Sequence, residues 1–176
     1  MPNSAQVGSD TKAAFHPAEL LFGDFPVEYT ATRKILERYP DAQGKWRPHE
    51  RSRTLGDLAT HVADIVNRGT AVLETDGMEL GARPPLAPID SASGLLAYYD
   101  AAVARFTPAL AAASLADLEI PWALRRGGQV LSEHPRRILL RQMMMSHLIH
   151  HRAQLGVYYR LLGVPVPGAY GPSADD

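Results

Sequence analysis

The sequence contains no cysteine. Disulfide bonds, thiolate metal sites, iron–sulfur clusters and a cysteine nucleophile are therefore all excluded. Any metal site in this chain has to be built from nitrogen and oxygen ligands, of which histidine and the carboxylates are the usual sources.

The chain also lacks an excess of positive charge, with 18 Lys and Arg residues against 19 Asp and Glu residues and a formal net charge of −1. Proteins that bind nucleic acid through its phosphates usually carry a basic excess or a basic stripe, so we do not expect DNA or RNA as a partner.

No apolar run approaches the ~20 residues of a membrane helix. The first residues, MPNSAQVGSDTKAA, show neither the basic start nor the apolar stretch of a secretory signal. We therefore predict a cytoplasmic protein that does not contact membranes.

The length of 176 residues and the hydrophobic content of 45% suit one domain with a substantial core. We predict a flexible N-terminal tail over residues 1–14 and a single domain over residues 15–176. Four stretches of the domain have helical periodicity, separated by Pro, Gly and polar residues, which argues for a helical bundle. The fold class is therefore predicted to be all-α, with either a short hairpin or a loop near residues 118–131.

The ends of the four helices can be predicted from capping residues and prolines. Thr54 is a suitable N-cap with Asp57 three residues later. Pro26 predicts a kink or a delayed start in the first helix, and Pro108 predicts a kink or an early stop in the third. Gly163 is a natural left-handed cap for the fourth helix. The predicted helices cover residues 17–39, 54–74, about 90–113, and 132–163.

Two histidines stand one turn apart on the fourth predicted helix. At about 100° per residue, His147 and His151 lie only ~40° apart around the helix axis, on the same face as Leu155 and other apolar residues. Two imidazoles directed toward a bundle core need partners for their ring nitrogens. This spacing suggests that both nitrogens bind one ion.

The second predicted helix supplies a third histidine, His61, at the edge of an apolar face near Leu58 and Ile65. With the pair on the fourth helix it would complete a three-histidine set, which binds zinc, nickel or iron and leaves a coordination position for water or substrate. A single histidine at a core edge is more often a hydrogen-bonded structural residue than a metal ligand, and the spacing alone only suggests a metal site.

The other histidines are weaker candidates for the metal site. His150 lies about 60° from His147 on its other side, so it could bond a neighbour or replace one ligand. Asp57 and Asp64 lie off the ligand face of their helix and are not expected to bind the ion. Three histidines in loop-like or helix-start positions are expected to be exposed to solvent: His16, His49 and His134.

The segment HLIHHRAQLGVYYRLLGVPVPGAYGPSADD, residues 147–176, resembles the C-terminal motif of the DinB family, also called the damage-inducible or YfiT-like metalloenzymes. The motif has a His-x-x-x-His pair, then Arg, a small residue and Gln, then Tyr-x-Arg and a Pro–Tyr–Gly–Pro tail. The segment WRPHERSRTLGDLATH, which ends at His61, also resembles the family. The resemblance covers roughly residues 17–176. The family commonly has Gly where this chain has Ala153, a small change that should not disturb the ligands.

This resemblance implies an up-down-down-up four-helix bundle that holds one divalent metal ion on His61, His147 and His151. Zinc or nickel would be the usual ion, with iron also compatible with the ligands. It further implies a homodimer, a small-molecule substrate, and activity as a transferase or isomerase that uses a low-molecular-weight thiol. The damage-inducible name refers to expression and gives no reason to expect DNA contact.

Three functions follow from a three-histidine site with an open position. The metal ion can lower the pKa of a bound thiol for thiol transfer, or of bound water for hydrolysis of an amide or ester. The site could instead be non-catalytic, in a structural, metal-sensing or small-molecule-binding protein. No residue is assigned as the catalytic acid, base or nucleophile; Gln154 and Tyr158 are candidates for orienting the ligand rings. Arg152 faces away from the metal by about 100° and is predicted to be structural or interfacial.

Overall fold

The computed structural model describes residues 16–82 and 84–175. The tail predicted over residues 1–14 lies outside the described residues. The helices are α1 (Pro17–Phe22), α2 (Phe25–Leu36), α3 (Leu55–Glu74), α4 (Ala92–Ala112), α5 (Leu115–Glu119), α6 (Arg136–Leu139) and α7 (His147–Leu161). The strands are β1 (Gly77–Glu79), β2 (Pro121–Arg126) and β3 (Gln129–Pro135). A 3-10 turn covers Asp41–Gln43, and a π-helical segment, Leu140–Ser146, joins α6 to α7.

Most of the predicted helix ends are confirmed. The first predicted helix is divided at Gly23 and Asp24, and Pro26 stands in the first turn of α2, where its missing N–H needs no partner. Thr54 caps α3, because its Oγ1 accepts a hydrogen bond from the Asp57 backbone N–H at 3.1 Å. Gly163, with φ of 70°, follows the end of α7 in the left-handed conformation.

Two predicted helix ends are corrected. The early stop at Pro108 is wrong, because α4 continues through this residue to Ala112. The carbonyl that Pro108 leaves without a donor belongs to Ala104, an exposed residue at which water can replace the lost bond. The last helix begins at Arg136 and not within Ser132–Pro135, since those four residues form the end of β3.

The all-α fold class is too narrow, because the chain also forms a three-stranded sheet in the order β1-β2-β3. Strands β2 and β3 are antiparallel, and Gly127 and Gly128 turn between them with φ of 58° and 77°. The predicted hairpin is thus confirmed. Strand β1 pairs with β2 in parallel, which the sequence did not indicate. With three residues it is too short to show the alternation that identifies a strand.

The long helices share one hydrophobic core. Helix α3 contacts both α4 and α7, and α2 also contacts both. Trp122 of β2 is fully buried and donates its Nε1–H to Thr75 Oγ1 at 3.1 Å, which attaches the sheet to the end of α3. The up-down-down-up order of the bundle stays a prediction. Within residues 16–82 and 84–175, every helix is too short or too polar to span a bilayer.

A buried ion pair fixes α7 to α2. Arg152 and Glu28 are each 5% exposed, and Arg152 Nη1 lies 2.7 Å from Glu28 Oε2. The same guanidinium donates to Thr32 Oγ1 at 3.3 Å and to the Tyr170 hydroxyl at 2.6 Å. That hydroxyl donates in turn to Glu28 at 2.8 Å, so the C-terminal segment closes the network. Arg152 thus has a structural position, and it sets the rotation of the helix that carries His151.

Replacement of Arg152 by Met should destabilise the protein by about 3–5 kcal/mol, because Glu28 would be left as an uncompensated buried charge. The matched control is Arg160→Met on the same helix, whose ion pair with Asp175 lies at the surface and should contribute little to stability. Urea unfolding followed by circular dichroism measures both. Equal losses in the two variants would contradict the role given to the buried pair.

Candidate metal centre

The structure brings the three predicted histidines together between α3 and α7. His61 lies in the second turn of α3, while His147 and His151 occupy successive turns of α7. The Nε2 atoms of His61 and His147 are 3.0 Å apart, and one nitrogen from each of the three rings lies within 4.8 Å of the other two. The ring centroids of His61 and His151 are 4.5 Å apart.

The spacing of these nitrogens fits one metal ion. Two nitrogens bound to the same ion at about 2.1 Å lie roughly 3.0–3.4 Å apart, and the His61–His147 separation is of that size. Neutral imidazole is a common ligand of zinc, nickel and iron. Three protein nitrogens also leave a position free for a water molecule or a substrate. The arrangement can therefore hold a divalent ion.

The surroundings keep the three imidazoles neutral. Burial lowers the pKa of His61 from 6.5 to about 3, and the positive charge of Arg68 contributes in the same direction. Burial and Arg68 also lower the pKa of His147 to about 4. The pKa of His151 is lowered as well, chiefly by burial, although its hydrogen bond to Gln154 opposes the shift. Neutral rings present the lone pairs that a metal ion needs.

Gln154 holds the ring of His151 from the same helix. Its Oε1 accepts a hydrogen bond from His151 Nδ1–H at 2.7 Å. With the proton on Nδ1, the Nε2 lone pair of His151 is free for coordination. This is the contact expected of a residue that orients a metal ligand.

Tyr158 does not show the corresponding contact. Its hydroxyl donates to the backbone carbonyl of Arg53 at 3.3 Å, and its ring packs edge to face on Trp46. Tyr158 therefore connects α7 to the loop before α3, and its part in orienting a ligand ring stays a prediction.

A π-helical segment, Leu140–Ser146, immediately precedes His147. Leu139 and Met144 are both buried, as are Leu140 and Met145, so the burial repeats every five residues here. A spacing of five matches the i→i+5 hydrogen bonds of a π-helix, and single π turns often occur at functional sites. The π-helical segment was not predicted, because three consecutive methionines fit any helical periodicity.

The remaining histidines and acids lie outside the cluster. His150 is exposed and its ring centroid lies 4.8 Å from that of His151. Asp57 is engaged in the N-cap of α3, and Asp64 accepts a hydrogen bond from the Tyr98 hydroxyl at 2.7 Å. Neither belongs to the converging group, as expected. Three further histidines are exposed, also as expected: His16, His49 and His134.

Two arginines near the histidines were not anticipated. Both Arg53 and Arg68 lower the pKa of each of the three histidines. For Arg68 a signal existed in the sequence, because it follows His61 by seven residues and so shares its helix face. Arg53 lies in the loop before α3, where no periodicity applies.

Comparison with known proteins identifies similar sequences and folds. The DinB superfamily model matches residues 27–155, which is more than half of the chain. A solved DinB-like protein from Bacillus cereus ATCC 10987 has a TM-score of 0.67 and 24% identity, covering 86% of this chain and 97% of that one. The DinB-like protein YjoA from Bacillus subtilis has a TM-score of 0.64 and 18% identity, with coverages of 85% and 97%. At these identities the two structures establish similarity of fold. A comparison with curated proteins gave no match.

Purified without a histidine tag or a nickel column, the protein should contain about one divalent ion per chain. His147→Ala and His151→Ala should each lose it, because two nitrogens hold an ion far less tightly than three. Elemental analysis by mass spectrometry measures the content. His150→Ala, on the same helix but exposed, is the control and should keep the ion. Full metal content in His147→Ala would disprove the site.

In the metal-free state, stability should fall as the pH drops from about 6.5 toward 4. Below pH 6.5 the unfolded chain binds protons at His61 and His147, whose folded pKa values are about 3 and 4, so acid favours unfolding. Urea unfolding in EDTA at pH 7.5 and pH 5.0 measures the loss. His61→Asn should reduce it, whereas His134→Asn, at an exposed position, should not. An identical loss in both variants would contradict this origin.

Proposed function

This chain belongs to the DinB superfamily, and from its site we propose a metal-dependent enzyme that transfers a low-molecular-weight thiol to an electrophilic substrate. In this proposal His61, His147 and His151 bind one zinc or nickel ion. A small-molecule substrate binds beside it. The predicted up-down-down-up bundle, the homodimer and the cytoplasmic location belong to the same proposal.

The observation that carries the proposal is the convergence of three nitrogens from two facing helices within 4.8 Å. Structural zinc sites usually have four protein ligands, whereas catalytic sites have three and an open position. No Asp, Glu or fourth histidine among the described residues joins the converging group. An open site of this kind supports a reactive role over a purely structural one.

The bound ion would supply a lowered pKa for a thiol or a water molecule at neutral pH. The chain itself keeps His61 and His147 neutral through burial, and Gln154 holds the proton of His151 on Nδ1. Because the chain has no cysteine, the reacting thiol has to come from a co-substrate. In the transfer, the thiol would release its proton to solvent, its sulfur would form a bond to the electrophilic carbon, and the leaving group would depart with the electron pair of the broken bond.

Hydrolysis is the alternative reaction, with water in place of the thiol. The other alternative is a non-catalytic protein that binds a metal or a small molecule. The His61→Ala variant separates a structural ion from a catalytic one. Loss of a structural ion should lower the melting temperature strongly, whereas loss of an ion from an open site should lower it less.

Zinc- or nickel-loaded protein should accelerate the reaction of a small thiol with 1-chloro-2,4-dinitrobenzene, followed through the absorbance of the thioether product. The acceleration should disappear in EDTA and in His147→Ala, since both remove the ion, and persist in His134→Ala. Hydrolysis of p-nitrophenyl acetate without thiol is the parallel assay. If the protein turns over only the ester, it is a hydrolase and the proposed thiol transfer is wrong. A loaded protein inactive in both assays would favour the non-catalytic alternative.

A further inference from the structure

Two arginines lie on opposite sides of the histidine cluster along α3. Arg68 follows His61 by seven residues, about two helical turns, and therefore lies on the same face. Long side chains on a helix point back toward its N-terminus, so the Arg68 guanidinium is directed along that face toward His61. Arg53 precedes α3 by two residues.

Contacts with α7 fix where the two arginines lie. The Arg53 carbonyl accepts the Tyr158 hydroxyl at 3.3 Å, and Tyr158 is seven residues beyond His151 on the same face. At the other end, a Cβ at Gly69 would lie 3.0 Å from Met144, just before His147. Helices α3 and α7 are therefore antiparallel here, and the histidine cluster lies between Arg53 and Arg68.

Arg68 has a partly buried side chain but no acidic partner. Across residues 16–82 and 84–175, no carboxylate oxygen lies within 4.0 Å of its side-chain nitrogens, and the same holds for Arg53. Most of the other described arginines without such a partner are exposed, Arg125 being partly buried, and seven have one: Arg33, Arg105, Arg136, Arg137, Arg141, Arg152 and Arg160. Partial burial of a cation is unfavourable unless something compensates the charge.

Asp64 is the one acid whose charge raises the pKa of Arg68, but it is engaged elsewhere. Its Oδ1 accepts hydrogen bonds from the Tyr98 hydroxyl at 2.7 Å and from Asn67 Nδ2 at 3.1 Å. Burial and Arg53 both lower the pKa of Arg68. The space beside the histidines is therefore positive before any metal ion adds its own charge.

We propose that the molecule that binds at the histidine cluster carries a carboxylate or a similar anionic group, which Arg68 and Arg53 hold. This rests on the proposed function, since the cluster must bind a metal ion and a thiol. Guanidinium groups bind carboxylates through charge-assisted hydrogen bonds, and they are weakly hydrated, so a partly buried arginine suits this purpose. The anion would supply the partner that Arg68 lacks within the chain.

The experiment compares two thiols of equal length on the Co²⁺-loaded protein: 3-mercaptopropionate, which has a carboxylate, and 3-mercapto-1-propanol, which has none. Binding of either sulfur to Co²⁺ gives a charge-transfer absorption in the near ultraviolet, so titration yields both Kd values. The carboxylate thiol should bind about tenfold more tightly, as expected for a charge-assisted hydrogen bond.

Arg68→Met keeps the apolar stem of the side chain and should remove the preference, because it should weaken binding of the carboxylate thiol much more than binding of the alcohol thiol. Arg53→Met, at an exposed position, should reduce the preference and does not depend on core packing. The control is Arg51→Met, an exposed arginine in the same loop, which should change neither Kd. Binding of the alcohol thiol and the Co²⁺ spectrum show whether each variant retains an intact site.

Equal Kd values for the two thiols on the unmodified protein would overturn the proposal and leave the thiol-binding function intact. A preference that survives in both Arg68→Met and Arg53→Met would also overturn it. Absence of the charge-transfer band with either thiol on Co²⁺-loaded protein would instead reject the proposed function, and the anion proposal with it.

Discussion

The close approach of α3 to the last helix is the constraint on which the metal centre depends. A Cβ at Gly69 would lie 2.8 Å from Phe106 and 3.0 Å from Met144, so a larger residue there would push α3 away from both neighbours. Arg152 fixes the rotation of α7 through its buried contact with Glu28. Small movements in either helix would separate nitrogens that now lie 3.0 Å apart. The core packing therefore determines the geometry of the site.

The same packing determines the chemistry of the cluster. Burial opposes protonation of the histidines, and the two arginines add a positive potential without closing the site with an acidic ligand. Such surroundings favour ligands that arrive as anions, whether thiolate, hydroxide or carboxylate. A protein carboxylate as a fourth ligand would have neutralised this potential and filled the open position. The absence of one from the converging group of described residues fits a site that binds an external ligand.

Features with a local cause could be predicted from the sequence, and features that depend on distant partners could not. The i, i+4 spacing put His147 and His151 on one face, and Thr54 marked the start of α3, because both follow from helix geometry alone. Strand β1 exists through its pairing with β2, more than 40 residues away. The π-helical segment before His147 depends on which side chains the core accepts. The burial of Arg152 depends on Glu28, 124 residues distant.

Helix α3 makes three kinds of contact through residues at different angular positions. One face carries His61 and Arg68 toward α7, and Asp64, about 60° away from His61, bonds Tyr98 of α4. Gly69 provides the third contact by admitting Phe106 and Met144. Since 3.6 residues complete a turn, substitutions at these positions act on different interactions although they lie within nine residues. Loss of function at the histidine cluster and loss of core packing should therefore be separable by mutation along this one helix.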